Sequence, residues 1–204
     1  MDGLVANLGL ISGVAGSGAA THTVLVAGVA GLIASSFSMA VGEYTSVQSQ
    51  AEATLAEVES ERLELRRAPQ AELEELAGMY RARGLAPELA REVARQLSRD
   101  PETALRVHTQ EELGVDFDAL PSPWVAAGSS MVAVVIGSFV PLLPYVLGAR
   151  TVAPSLVLSG LALFCVGALV SRFTTRSAVY SGLRQLLLGA ASAAITFGIG
   201  SLVS

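Results

Sequence analysis

Between Gly3 and Gly42 the chain carries no Asp, Glu, Lys or Arg, and nearly every residue there is apolar or small. Such a segment enters a bilayer only if its backbone amides are satisfied within the segment itself, which means helix. Roughly 20 residues of helix cross the hydrocarbon core, so this stretch holds two crossings, at 3–19 and 24–43. Only Ala20 to Thr23 separate them, enough for a tight antiparallel pair. The same apolar character recurs at 124–147, 153–171 and 181–203. The chain therefore reads as an all-α, polytopic membrane protein with five transmembrane helices. The first span is short and starts almost at Met1, which suggests a shortened N-terminus. A cleaved signal peptide is not expected, because the basic residues that open one are missing and Asp2 stands there instead.

Charge divides the chain. Residues 43–118 hold nearly all of it, whereas 119–204 contain only Arg150, Arg172, Arg176 and Arg184. Three regions follow: 1–44 with transmembrane helices 1 and 2, 45–122 as an acidic helical insert, and 123–204 with transmembrane helices 3 to 5. Arg62, Arg66 and Arg67 in the insert and Arg172 and Arg176 after the fourth span fall on one side, which the excess of arginine marks as cytoplasmic. Arg150 alone faces out. With five crossings the N-terminus and insert are cytoplasmic and the C-terminus lies opposite. A net charge of -5 argues against nucleic acid as a partner. The single Cys165 lies in an apolar run, forms no intrachain disulfide and reads as packing. An enzyme is not expected, since no nucleophile has a neighbouring base and His22 and His108 fall on opposite sides of the membrane.

Within the insert the pattern changes from uniformly apolar to amphipathic. Leu55, Val58 and Leu65 mark one stripe of a helix that Pro69 ends, with Glu57, Glu61 and Glu64 on another. A second helix over 71–83 sets Glu72, Glu75 and Met79 on one face and Leu73, Leu76 and Tyr80 on another, stopping at Gly84. Pro87 opens a third helix; Asp100 and Pro101 cap and open a fourth that ends at Gly114 and holds His108 and Glu112 one turn apart. Repeated glutamates one turn apart cost a helix some tenths of a kcal/mol per pair. Interleaved arginines offset this in the third helix, but they are displaced from the acid rows of the first two. Carboxylates facing one another from several helices suit a hard or borderline divalent cation. The same acidity would also serve a membrane-anchored helical adaptor that binds a basic protein partner. That alternative predicts no metal-dependent change in the insert.

Polar groups at the spans are the other functional candidates, because ionisable residues there are costly. Asp2 opens the first span, Met39 lies near the end of the second, and Glu43 is one turn beyond it. Running antiparallel from the four-residue turn, Asp2 and Met39 stand at nearly the same depth. Ser35, Ser36 and Ser38 offer further oxygens nearby. Gly9 and Gly13, and the row Gly189, Ala193 and Phe197, have the small-residue spacing of a close helix seam, here read as the seam of a homodimer. Pro141 and Pro144 are expected to kink or end the third span.

The segments DGLVANLGLISGVAG, FSMAVGEYTSVQSQ, an acidic helical insert ending in EELGVDF, and IGSFVPLLPY follow one another in the order found in the vacuolar iron transporter family, and the whole chain resembles that family, including its nodulin-like branch. The resemblance implies five membrane helices, a homodimer in the lipid bilayer, and movement of Fe(II) or Mn(II) out of the cytoplasm in exchange for protons. It implies no prosthetic group, and a cytoplasmic helical domain that gathers metal with glutamates, for which Zn(II) would serve as a surrogate. Carried over by motif, the pathway residues are Asp2 and Met39, and Glu43 joins them by position. The metal-gathering pairs are Glu61 with Glu64 and Glu72 with Glu75, followed by Glu112 and Asp116. The chain departs from the vacuolar branch at Gly31, where that branch has a glutamate. Its GEY tripeptide, with Glu43, resembles the nodulin-like branch, which often lacks the insert. The thioether of Met39 would tilt the pathway toward the softer iron.

Overall fold

The computed structural model describes residues 1–203. All regular structure is helical, with no strand among the described residues, and the chain divides into two compact units. One comprises Met1–Tyr44 and the chain from Trp124 onward; the other is Thr45–Pro123.

The first unit contains α1 (Asp2–Gly16), residues 21–44 of α2 (Thr21–Arg67), α6 (Pro123–Val146), α7 (Ala153–Val170) and α8 (Ala178–Val203). Among the described residues, four helical segments are long and apolar enough to cross a membrane: α2, α6, α7 with the 3-10 turn that follows it, and α8. The protein is thus an integral, multi-pass membrane protein. The segment expected as the first crossing forms the 15-residue α1, roughly 22 Å at 1.5 Å per residue against a hydrocarbon core of about 30 Å. It stops because Ser17 and Gly18 turn the chain back, Gly18 with a φ of +73° that its missing Cβ permits.

The small residues of α1 are consumed inside the chain. A Cβ on Gly9 would stand 3.2 Å from the Ser192 hydroxyl, and one on Gly13 would stand 3.3 Å from the Thr196 carbonyl. This row therefore seats α8 against α1, not a second copy as the spacing suggested. Another face of α1 meets α6: Asn7 Nδ2 donates to the Ser138 carbonyl at 2.7 Å, and the Ser138 hydroxyl donates to the Gly3 carbonyl at 3.0 Å. Pro141 and Pro144 are accommodated within α6, which runs on to Val146. Ile11, Val24, Leu142 and Tyr145 form the buried centre. Val26, Phe37, Ile136 and Leu187 are among the large side chains exposed on the outside, the pattern of a surface solvated by hydrocarbon.

The second unit contains residues 45–67 of α2, α3 (Pro69–Ala82), α4 (Pro87–Leu97), α5 (Pro101–Glu112) and a 3-10 turn at Phe117–Ala119. Each of α3, α4 and α5 opens on proline, whose missing N–H costs nothing in a first turn. Asp100 caps α5 by accepting from the Thr103 N–H at 2.8 Å. Gly84 and Gly114, at φ +98° and +66°, reverse the chain after α3 and α5. Leu76, Ala77 and Ala94 centre the α3–α4 core. Arg91 ties α4 to α3 through both oxygens of Glu74.

Candidate metal centre

Two carboxylates of the insert are buried against its core. On α2, Val58, Glu61 and Leu65 share one face, because three residues advance a helix to within about 60° of its starting direction. Val58 and Glu61 are both buried, while Leu55 is half exposed and stands outside that face. The acid row expected to lie apart from the apolar stripe is thus split: Glu61 turns inward and Glu64 remains exposed. In α3 the division repeats, with Glu72 buried beside Leu76 and Ala77 while Glu75 faces solvent.

Between them stands His108, fully buried on the face of α5 that also buries Ala104, Leu105 and Thr109. Its Nδ1 lies 3.1 Å from Glu61 Oε1, 3.7 Å from Glu72 Oε2 and 3.4 Å from Glu112 Oε1, the last one helical turn along α5. One donor atom from each of these four residues falls within 4.8 Å of all the others. Three helices thus deliver three carboxylates and an imidazole to one point, a donor set able to hold a divalent ion. Glu61 Oε1 is buried without a hydrogen-bond partner, as is His108 Nε2. Glu112 opens the group to solvent.

The electrostatics follow from this crowding. Burial pushes the Glu61 carboxyl up to about 7, helped by the charges of Glu112, Glu72 and Glu64. Glu72 is also raised, first by burial and then by Glu75, with His108 acting in the opposite sense. Glu64 and Glu75 thus stand outside the four-residue group but add to its negative field. Asp116 is engaged elsewhere, accepting from the Asp118 N–H at 3.1 Å at the start of the 3-10 turn. Of the six insert acids singled out in the sequence, the structure gathers Glu61, Glu72 and Glu112, and not Glu64, Glu75 or Asp116. It adds His108, whose signal in the sequence was its i,i+4 spacing to Glu112 on an otherwise apolar face.

In the membrane unit, Asp2 is the exposed first residue of α1, Met39 is half-buried on α2, and Glu43 is exposed one turn further on. Neither acid has a salt-bridge partner among the described residues. At Gly31 a Cβ would stand against the Leu10 side chain and 3.0 Å from Asn7 Oδ1, so α1 and α2 touch there.

Comparison with known proteins covers nearly the whole chain. The sequence profile of the VIT family matches residues 1–201. A protein named vacuolar iron transporter from Acanthamoeba castellanii is 38% identical over 187 residues, spanning 88% of this chain and 69% of that protein. Vacuolar iron transporter 2 of Oryza sativa subsp. japonica is 32% identical over 99% of this chain and 83% of its own length. Vacuolar iron transporter 1 of Arabidopsis thaliana is 30% identical over 99% of this chain and 82% of its own.

Proposed function

The chain belongs to the VIT family, and from that premise we propose that it carries Fe(II) or Mn(II) out of the cytoplasm through its membrane unit in exchange for protons, after the insert has gathered the ion. The observation that carries this reading is the convergence of Glu61, Glu72, His108 and Glu112 on one point. Burying carboxylates together is expensive, and a divalent cation offsets both their repulsion and their lost hydration. The adaptor alternative fits less well. Exposed acids such as Glu64 and Glu75 would be enough to meet a basic partner, which leaves the burial of Glu61 and Glu72 unexplained.

The excess of arginine in the insert, with Arg172 and Arg176, supports a cytoplasmic position for the collector. α1, though short, counts as a fifth, shallow crossing, so the termini lie on opposite sides; two copies associate in the bilayer. Asp2 and Met39 form the mouth of the route, the carboxylate binding the ion and the thioether favouring iron. Asp2 and Glu43 then exchange the metal for protons, which couples the two fluxes.

Metal uptake into proteoliposomes holding a pH-sensitive dye tests the reading. Asp2→Ala should abolish flux, Met39→Ala should lower iron flux more than manganese flux, and Glu43→Gln should slow both and loosen proton movement. Glu61→Ala should raise the half-saturating metal concentration while the saturated rate holds. Wild-type flux from Asp2→Ala would refute the route; metal flux without proton movement would refute the exchange.

A further inference from the structure

A site of carboxylates alone discriminates poorly among Mn(II), Fe(II), Mg(II) and Ca(II), because all of them accept hard oxygen donors. The centre in the insert contains one donor of another kind. We propose that His108 binds the gathered ion through Nδ1, and that this nitrogen makes the centre select Fe(II) and similar borderline ions over Mn(II), Mg(II) and Ca(II). The inference rests on reading the insert as an ion collector.

The geometry suits a ligand. With bonds of about 2.1 Å, neighbouring donors around an ion stand roughly 3.0–3.4 Å apart and opposed donors about 4.2 Å. His108 Nδ1 lies 3.1, 3.4 and 3.7 Å from its three carboxylate oxygens, and the whole set fits within 4.8 Å. A contraction of about half an ångström would therefore close it on an ion. The ring is fully buried on α5 between Leu105 and Thr109, so little conformational freedom is left to lose on binding.

A purely structural histidine is a poorer account. Buried polar atoms normally find partners, yet His108 Nε2 has none and Glu61 Oε1, 3.1 Å from Nδ1, makes no hydrogen bond. The polar contacts of the ring are thus all made at Nδ1, which meets Glu112 Oε1 at 3.4 Å and stands 3.1 Å from the unpartnered Glu61 Oε1. Selectivity follows from the chemistry of that atom. Replacing one oxygen donor by imidazole steepens the rise in affinity from Mn(II) through Fe(II) to Co(II) and Ni(II). Burial of three of the four donors also requires the ion to shed water, which Mg(II) does reluctantly.

The test uses the untagged, full-length protein in detergent. The chain has two histidines, so His22→Gln leaves His108 as the single imidazole for 15N-histidine labelling. Adding Zn(II), a diamagnetic borderline ion, should move the Nδ1 resonance into the metal-bound range at one equivalent, and Mn(II) should not compete until present at roughly tenfold excess or more. Anaerobic titrations should show Fe(II) bound at least about tenfold more tightly than Mn(II), a ratio falling to within about threefold in His108→Asn. Zn(II) binding with an unmoved His108 resonance, or an unchanged Fe(II) to Mn(II) ratio in a folded His108→Asn, would overturn the inference and leave a collector of carboxylates alone. Absence of binding by any of these ions would overturn the collector as well. Should His108→Asn fail to fold, the resonance experiment on the unsubstituted site still decides the matter.

Discussion

Glu61→Gln isolates the carboxylate whose environment is most altered. In the folded insert, burial and the charges of Glu112, Glu72 and Glu64 carry Glu61 from an ordinary 4.5 to about 7. The difference of about 2.5 units corresponds to at most roughly 3 kcal/mol held against the ionised form. Because the pKa is raised, the empty fold binds a proton that the unfolded chain releases. Its contribution to stability is present at low pH and is lost as pH rises from about 4.5 through about 7. An ion reverses this dependence, since it binds only after the proton leaves. Affinity should grow about tenfold per pH unit up to about pH 7 and level above it, so that at pH 5.5 it is roughly 30-fold below the plateau. In Glu61→Gln no proton has to leave that position. The plateau should fall by at least about a hundredfold, and the slope should flatten to what Glu72 contributes. Calorimetric titration of the full-length protein with Zn(II) between pH 5.5 and 8 checks both. A wild-type affinity constant from pH 5.5 to 7, or an unaltered slope in Glu61→Gln, would refute the reasoning.

Removing metal with a chelator at pH 8, about a unit above the raised value of Glu61, leaves the charge of that buried carboxylate beside Glu72 and Glu112 with no cation to offset it. The amides of α3 and α5 should then exchange hydrogen faster than in the loaded protein, with a smaller difference at pH 5.5 after correction for intrinsic rates; equal protection at both pH values would contradict the repulsion argument. Gly13→Leu drives a side chain into the backbone of α8 at Thr196, and such overpacking should destabilise the folded monomer itself by about 1–3 kcal/mol. Thermal unfolding in detergent measures this, and an unchanged transition would return the glycine row to an outer surface.

Much of the fold was legible because its signals are local. Charge-free stretches mark the membrane helices, Pro69 marks where the first insert helix ends, Pro87 and Pro101 mark where two later ones open, and glycine at Gly84 and Gly114 marks where two of them stop. The shortness of α1 was legible too, but the use of its glycines was not, for a different reason. Spacing of small residues states that a helix can be approached closely, but not by what. Gly9 and Gly13 would serve a second copy as well as α8, and only the return of the chain through α7 decides for Ser192 and Thr196.

The candidate centre shows the same limit at the level of single side chains. Sorting helix positions by polarity puts every glutamate outside, so Glu61 and Glu64 read as one row and Glu72 and Glu75 as another. Helical geometry allows a different sorting: Glu61 lies about 60° from Val58, and Glu72 about 40° from Leu76, close enough to be buried with them. Burial of an acid is decided by what waits inside, and here that is His108, which belongs to α5 and meets α2 and α3 only after the chain has passed through α4. The readable part was on α5 alone. Ala104, Leu105, His108 and Thr109 form its buried face, and Glu112 extends that face by one turn into solvent. An apolar stripe that ends in an imidazole and then a carboxylate, in a chain whose preceding helices already carry acids at their apolar edges, points to a buried polar contact. That contact needs a proton or a metal ion between its members, because three carboxylates do not stay together without a cation.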